Sequence, residues 1–93
     1  MLQIGDYVKS IIWGQEGCID KIWNNFYEVE KDKEQFISMS GKSWLEQQTV
    51  PFTTEQVENE RWISVHTTNG GSILSSESRL EFISRVNINE LLK

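Results

Sequence analysis

Residues 61–67 of the sequence, RWISVHT, form an alternating run that is followed at once by Asn-Gly at 69–70. Because the side chains of a β-strand point alternately to two faces, Ile63 and Val65 are predicted on the face opposite to His66. Asn-Gly favours a two-residue type I′ turn, in which both central residues need positive φ. The sequence therefore predicts a hairpin here, and not a phosphate-binding loop, since no helix follows the glycines.

Other segments are enriched in β-branched and aromatic residues and bounded by glycine or asparagine, which is typical of short strands. The predicted strands are residues 7–13, 18–23, 71–75 and 80–85, and residues 24–25 are predicted to turn or bulge before residues 26–30. Residues 14–17 are read as a turn, and Ile19 and Ile22 as inward-facing anchors. Residues 76–79 resemble one turn of helix, residues 54–58 a helix N-terminus, and residues 87–92 a short C-terminal helix.

The stretch from residue 31 to residue 60 is harder to assign. Residues 40–42 can turn a hairpin between residues 35–39 and 44–47, and the alternative is a short helix. Gly41-Lys42-Ser43 matches the end of a phosphate-binding P-loop, but that motif needs a glycine five positions earlier, where Phe36 stands. The P-loop interpretation is therefore rejected.

The length of 93 residues fits one domain, residues 1–93, with one thin core. No run of about 18 apolar residues is present, so no membrane partner is expected. The first residues lack the charged and apolar parts of a signal peptide, which favours a cytoplasmic location. The abundance of Asn, Ile, Lys, Glu and Ser is typical of an AT-rich genome, such as that of a low-GC bacterium or its phage.

The order of short motifs resembles a small SH3-like barrel of the KOW, Tudor and phage-encoded groups. The motifs are Gly-Asp-Tyr-Val at 5–8, Glu-Gly-Cys-Ile-Asp-Lys-Ile at 16–22, Trp-Ile-Ser-Val at 62–65, Asn-Gly-Gly-Ser-Ile at 69–73 and Ser-Arg-Leu-Glu-Phe-Ile at 78–83. The resemblance implies a mainly β fold, an antiparallel barrel. The departure is the long insertion between strands two and three, at about residues 24–60.

That insertion is acidic: residues 28–60 hold eight carboxylates and three lysines. As a strand, it would place carboxylates along one side, because side chains alternate with a period of two; as a helix, it would interleave them with lysines. The predicted partner-binding residues are Glu28, Glu30, Asp32, Glu34 and Trp44. We expect a non-catalytic binding protein that docks on a basic protein surface. Such a phage or mobile-element accessory would inhibit a host nucleic-acid-handling or defence protein.

The ten aromatic rings suggest a second hypothesis, since some of them are expected to stay exposed and rings stack on bases. The predicted groove consists of Trp13, Trp23, Trp62, His66 and Arg79. In this alternative the chain is a nucleotide-binding or nucleic-acid-binding SH3-like module, although a net charge of −5 disfavours polyanions. A third interpretation is that the insertion folds over the barrel and buries the rings. A homodimer that buries them is also open.

Enzyme chemistry is not expected. Cys18 and His66 are the only cysteine and the only histidine, and thiol chemistry at Cys18 would need the two side chains within hydrogen-bonding reach. A third, orienting group is missing. One thiol and one histidine distant in sequence indicate no metal site, and no cofactor is predicted.

Overall fold

The structure, a computed structural model, describes residues 1–32, 45–48 and 50–85. The strands are β1 (Asp6–Ser10), β2 (Glu16–Trp23), β3 (Trp62–Thr67), β4 (Ser72–Ser76) and β5 (Leu80–Arg85). The helices are α1 (Phe26–Asp32) and α2 (Thr54–Asn59), with 3₁₀ helices at Leu45–Gln47 and Glu77–Arg79. In the ranges that the structure describes, no helix is long and apolar enough to cross a membrane.

All five strands form one antiparallel sheet in the order β4-β3-β2-β1-β5. The consecutive strands β4 and β5 thus lie at opposite edges, joined only by the 3₁₀ helix Glu77–Arg79. In a flat sheet these edges would be about 19 Å apart, whereas four residue steps span at most about 14 Å. The sheet must therefore curl, although its edge strands are not paired with each other and it remains unclosed.

The concave face of the curled sheet carries the first core. Its buried residues are Leu2, Val8, Ile19, Ile63, Val65 and Leu80, with Ile22 and Ile73 packed against them. Ile19 and Ile22 are three positions apart and would point to opposite faces of a regular strand. A bulge between Ile19 and Lys21 shifts the register, so that Ile19 pairs with Val65 and Ile22 with Ile63. The predicted inward anchors are confirmed.

A second core lies on the outer face, where the described part of the insertion covers β3. It contains Trp23, Phe26, Val29, Trp62 and Leu74, with Leu45, Phe52 and Val57 packed against them. Phe26 and Val29 are three residues apart and therefore share one side of α1, so that the helix buries both side chains. The interpretation that the insertion folds over the sheet is therefore confirmed for these residues.

Both helices begin at sequence signals for capping. Thr53 accepts a hydrogen bond from the backbone N–H of Gln56, whose side chain accepts one from Thr53 in return. At α1, the Asn25 side chain accepts from the backbone N–H of Glu28, and the Glu28 carboxylate accepts from the backbone N–H of Asn24. The predicted helix start in residues 54–58 is confirmed, and of the two alternatives left open for residues 28–32 the structure has the helix and not the strand.

The hairpin between β3 and β4 is confirmed, with a different turn. Among the described residues only glycines have positive φ, so Asn69 does not adopt the type I′ conformation. Within this hairpin loop, the one residue with positive φ is Gly70, at 89°. The backbone N–H of Gly70 donates a hydrogen bond to the Thr67 carbonyl at 3.1 Å. The side-chain oxygen Oδ1 of Asn69 accepts hydrogen bonds from the Thr67 hydroxyl and from the backbone N–H of Gly71. These bonds favour a three-residue loop over the two-residue turn.

Several other predicted bounds can be compared with the structure. The strands β3 and β5 and the helical turn at residues 77–79 are confirmed. The first strand ends at Ser10, because the hydroxyl of Ser10 accepts from the backbone N–H of Trp13 in a tight turn. Gly17 belongs to β2 and not to a turn. The hairpin predicted around residues 40–42 and the C-terminal helix at 87–92 lie outside the described residues.

Two arginine–carboxylate pairs tie the first residues of the chain to the sheet. Arg61 donates to both carboxylate oxygens of Glu77 and, at 2.7 Å, to the Leu2 carbonyl. Arg85 donates to the carboxylate of Asp6 at 2.9 and 3.2 Å. Asp6 also accepts from the backbone N–H of Gln3. Because the Arg85 guanidinium outweighs the effect of burial, the pKa of the Asp6 carboxyl is lowered.

This lowered pKa has a consequence for stability. A group whose pKa is depressed by folding stabilises the folded state above its unfolded pKa, and the contribution is lost as pH falls through the folded value. We expect Asp6→Asn to reduce the free energy of unfolding at pH 7 by about 1–3 kcal/mol. The difference from the wild type should shrink below a pH of about 4. Urea unfolding at several pH values tests this, with the exposed Glu81→Gln as control; a constant difference would contradict it.

Candidate binding surface on the helical insertion

The exposed side of α1 and α2 carries a tyrosine ring and two carboxylates that act on it. Tyr27 in α1 is 53% exposed, and its hydroxyl donates a hydrogen bond to the Glu58 carboxylate of α2 at 3.2 Å. Glu30, one turn along α1 from Tyr27, is also exposed. We call Tyr27, Glu30 and Glu58 the acidic tyrosine cluster.

Both carboxylates of this cluster affect the electrostatics of Tyr27. The negative charge of Glu58, then partial burial and the hydrogen bond to Glu58, and finally the charge of Glu30 raise the pKa of the Tyr27 hydroxyl. Both carboxylates therefore act on the same ring. A cation above that ring would be attracted by the ring face and by both charges. This arrangement suits the side chain of a lysine or arginine.

Glu28 and Asp32, two other predicted carboxylates, have structural roles. Glu28 caps α1 through the backbone N–H of Asn24. Asp32 forms an ion pair with Lys21 and accepts a hydrogen bond at 3.0 Å from the indole N–H of Trp23. The stripe expected for a strand does not form, because Glu28, Glu30 and Asp32 lie on a helix, where Glu30 is on the side opposite to Glu28 and Asp32. Glu34 and Trp44 lie outside the described residues.

The residues of the predicted aromatic groove do not line one surface. Trp23 and Trp62 are 5% and 0% exposed, since the insertion covers them. Arg79 stacks on the Phe52 ring, 3.9 Å from its centroid, and donates to the carbonyls of Val50 and Pro51. Trp62 and His66 share a face of β3 as predicted, but the described helices cover Trp62 and His66 is exposed. The expectation failed because the cover comes from a distant segment.

Trp13 keeps an exposed position beside a shallow groove. The groove has a volume of about 330 Å³ and is lined by Trp13, Gln15, Gln48, Ser72, Ile73 and Leu74. A larger concavity, of about 490 Å³, lies among Met1, Leu2, Glu77, Leu80, Phe82 and Arg85. In the larger concavity, Glu77 and Arg85 form ion pairs with Arg61 and Asp6.

Tyr27 and Glu58 are absent from the predicted partner-binding residues. Two signals could have indicated that Tyr27 lies on a helix: the three-residue spacing of Phe26 and Val29, and the Asn25…Glu28 capping pattern. The proximity of Glu58 has no local signal, because α1 and α2 are separated by a long stretch of chain. Comparison with protein-family models, with curated proteins and with solved structures gives no match to this chain.

Proposed function

We propose that this chain is a non-catalytic binding protein whose helical insertion docks on a basic protein surface. The observation that carries the proposal is the acidic tyrosine cluster, in which an exposed ring is hydrogen-bonded to Glu58 and also feels the charge of Glu30. Tyrosine is enriched among the residues that dominate binding energy, and carboxylates around it steer a basic partner. Tyr27 and Glu30 lie on α1, which is anchored through Phe26 and Val29, and the hydrogen bond of Tyr27 joins them to Glu58 of α2.

The scaffold we propose is SH3-like. Two observations support it: the strand order β4-β3-β2-β1-β5, and the 3₁₀ helix that joins β4 to β5 across the opening between the sheet edges. In this proposal the insertion replaces the short connection between strands two and three and supplies the recognition surface. The partner class is a nucleic-acid-handling protein of a phage or mobile-element host, because a surface basic enough to bind nucleic acid is also complementary to clustered carboxylates.

The direct test uses a synthetic peptide of alternating arginine and glycine as the probe. We expect Tyr27→Ala to weaken binding about tenfold or more, a loss of about 1.4 kcal/mol, because the ring supplies both contact area and a cation–π interaction. The double variant Glu30→Gln with Glu58→Gln should weaken binding similarly and reduce its salt dependence. Isothermal titration calorimetry at low and high salt measures both effects.

The matched control is Glu81→Gln, which removes one exposed carboxylate from β5, away from the helices. Equal weakening by this control would show that only net charge matters and would contradict the proposal. The competing nucleotide-binding hypothesis keeps one exposed ring, Trp13, from its predicted set of tryptophans. Oligonucleotide binding that Trp13→Ala abolishes, with no binding of the peptide, would favour that hypothesis instead.

A further inference from the structure

The chain's single cysteine and single histidine are direct neighbours in the sheet. Cys18 of β2 and His66 of β3 are register partners in an antiparallel pair. Directly opposite residues project from the same face with their Cβ atoms about 4.5–5.5 Å apart. Both side chains are exposed. The fold thus joins a thiol and an imidazole that are far apart in the sequence.

The pair belongs to a polar row that crosses the outer face at the end of the sheet away from α1 and α2. Tyr7 of β1 is the partner of Cys18, and Ser72 of β4 is the partner of His66. Burial first, then a hydrogen bond to Glu16 and the charges of Glu16 and Cys18 raise the pKa of the Tyr7 hydroxyl. Cys18 therefore lies near Tyr7 on one side and His66 on the other.

We propose that Cys18 and His66 form a two-ligand site for a soft monovalent metal ion of the Cu(I) class. Thiolate sulfur and imidazole nitrogen are the ligands that soft and borderline ions prefer over hard ones. For an ion of the size of zinc, metal–sulfur and metal–nitrogen bonds are about 2.3 and 2.0 Å long. An ion between the two ligands therefore needs them about 4.3 Å apart, which is within reach of side chains on a cross-strand pair.

The number of ligands selects the class of ion. A structural zinc site needs four ligands, and a catalytic one needs three from the protein. Within residues 1–32, 45–48 and 50–85, no group of three or more His, Cys, Asp or Glu side chains could hold a metal. A two-ligand pair without convergent carboxylates disfavours Zn²⁺, Mg²⁺ and Ca²⁺. A soft monovalent ion accepts two ligands, one sulfur and one nitrogen.

Binding is an exchange of ions without electron transfer. The metal ion replaces the proton of the Cys18 thiol, which is released to solvent, and the thiolate sulfur forms the first bond. One imidazole nitrogen of His66 donates its lone pair for the second bond, while the other ring nitrogen keeps its proton. The bound complex has the charge of the thiol form, because a monovalent cation replaces one proton.

The test titrates the full chain with Ag(I), a redox-stable probe of the same class, under reducing agent-free conditions. We expect one ion per chain by native mass spectrometry. Competition with a chelator should give about tenfold or more weaker affinity for His66→Ala than for the wild type, because the second ligand is held at high effective concentration. The Cys18→Ser variant should no longer compete with the chelator for Ag(I). The neighbouring Ser72→Ala, which removes a hydroxyl and no ligand, is the matched control and should bind as the wild type does.

A second readout separates a ligand from a structural neighbour. The ring proton signals of His66 in an NMR spectrum should shift on addition of Ag(I) to the wild type but not to Cys18→Ser. If His66→Ala binds as tightly as the wild type, or one ion bridges two chains, the proposal is overturned. Should His66→Ala unfold, His66→Gln provides the same comparison. Tyr27→Ala should bind Ag(I) normally, which keeps this test independent of the proposed function.

Discussion

Trp62→Ala is expected to lower the free energy of unfolding by about 3–5 kcal/mol. The Trp62 side chain is fully buried, and its ring centroid lies 4.6 Å from that of Phe26 and 4.7 Å from that of Phe52. Its indole N–H donates to the Gln56 carbonyl of α2 at 2.8 Å. The substitution would leave a cavity at the centre of the second core and remove the bond that joins β3 to α2.

A loss of this size is a large part of the total stability of a small domain, which is about 5–15 kcal/mol. Urea unfolding followed by far-UV circular dichroism measures it. Trp13→Ala is the matched control, because Trp13 is 37% exposed and makes its contacts at the surface; we expect a much smaller loss there. Equal effects of the two substitutions would mean that the insertion does not pack on Trp62.

Gly17→Ala is expected to lower the free energy of unfolding by about 3 kcal/mol or more, at the upper end of the effects of overpacking. Gly17 pairs with Thr67 across β2 and β3. A Cβ atom at Gly17 would lie 2.1 Å from the carbonyl oxygen of His66 and 2.7 Å from the Cα atom of Thr67. Because both neighbours are backbone atoms, only a movement of the strands can relieve the clash.

Gly71→Ala provides the control for the loss of a glycine in the same region. A Cβ at Gly71 would meet the Thr67 hydroxyl at 3.4 Å, an ordinary contact, so we expect a change within about 0.5 kcal/mol. Thermal and urea unfolding of both variants decide the comparison. A Gly17→Ala variant as stable as Gly71→Ala would show that β2 and β3 do not approach each other so closely.

The extent of prediction from sequence is clearest in the strands. The alternation in residues 61–67 identified β3, and Asn69-Gly70 identified a hairpin, because both depend on contacts within a few residues. Ile19 and Ile22 were recognised as inward-facing from their apolar character. The bulge that makes this possible could not be read from β2 alone, since it is a property of its pairing with β3.

The acidic segment illustrates the opposite case. Residues 26–32 contain both a period-two set of carboxylates and a three-residue spacing of Phe26 and Val29. The two patterns predict different structures, and the helix prevails because it buries Phe26 and Val29 against Trp62. Tertiary burial thus decided the local conformation, and with it the fate of the predicted acidic stripe.

The sequence by itself determined the short-range features: a mainly β chain, its strand segments, the hairpin and an acidic middle. Only the tertiary structure decided that Trp62 is buried, that Tyr27 lies against Glu58, and that Cys18 faces His66. The physical reason is the distance along the chain over which each interaction acts. Backbone propensity and side-chain periodicity act over a few residues, whereas strand register and the cover of an outer face depend on segments far apart in the chain.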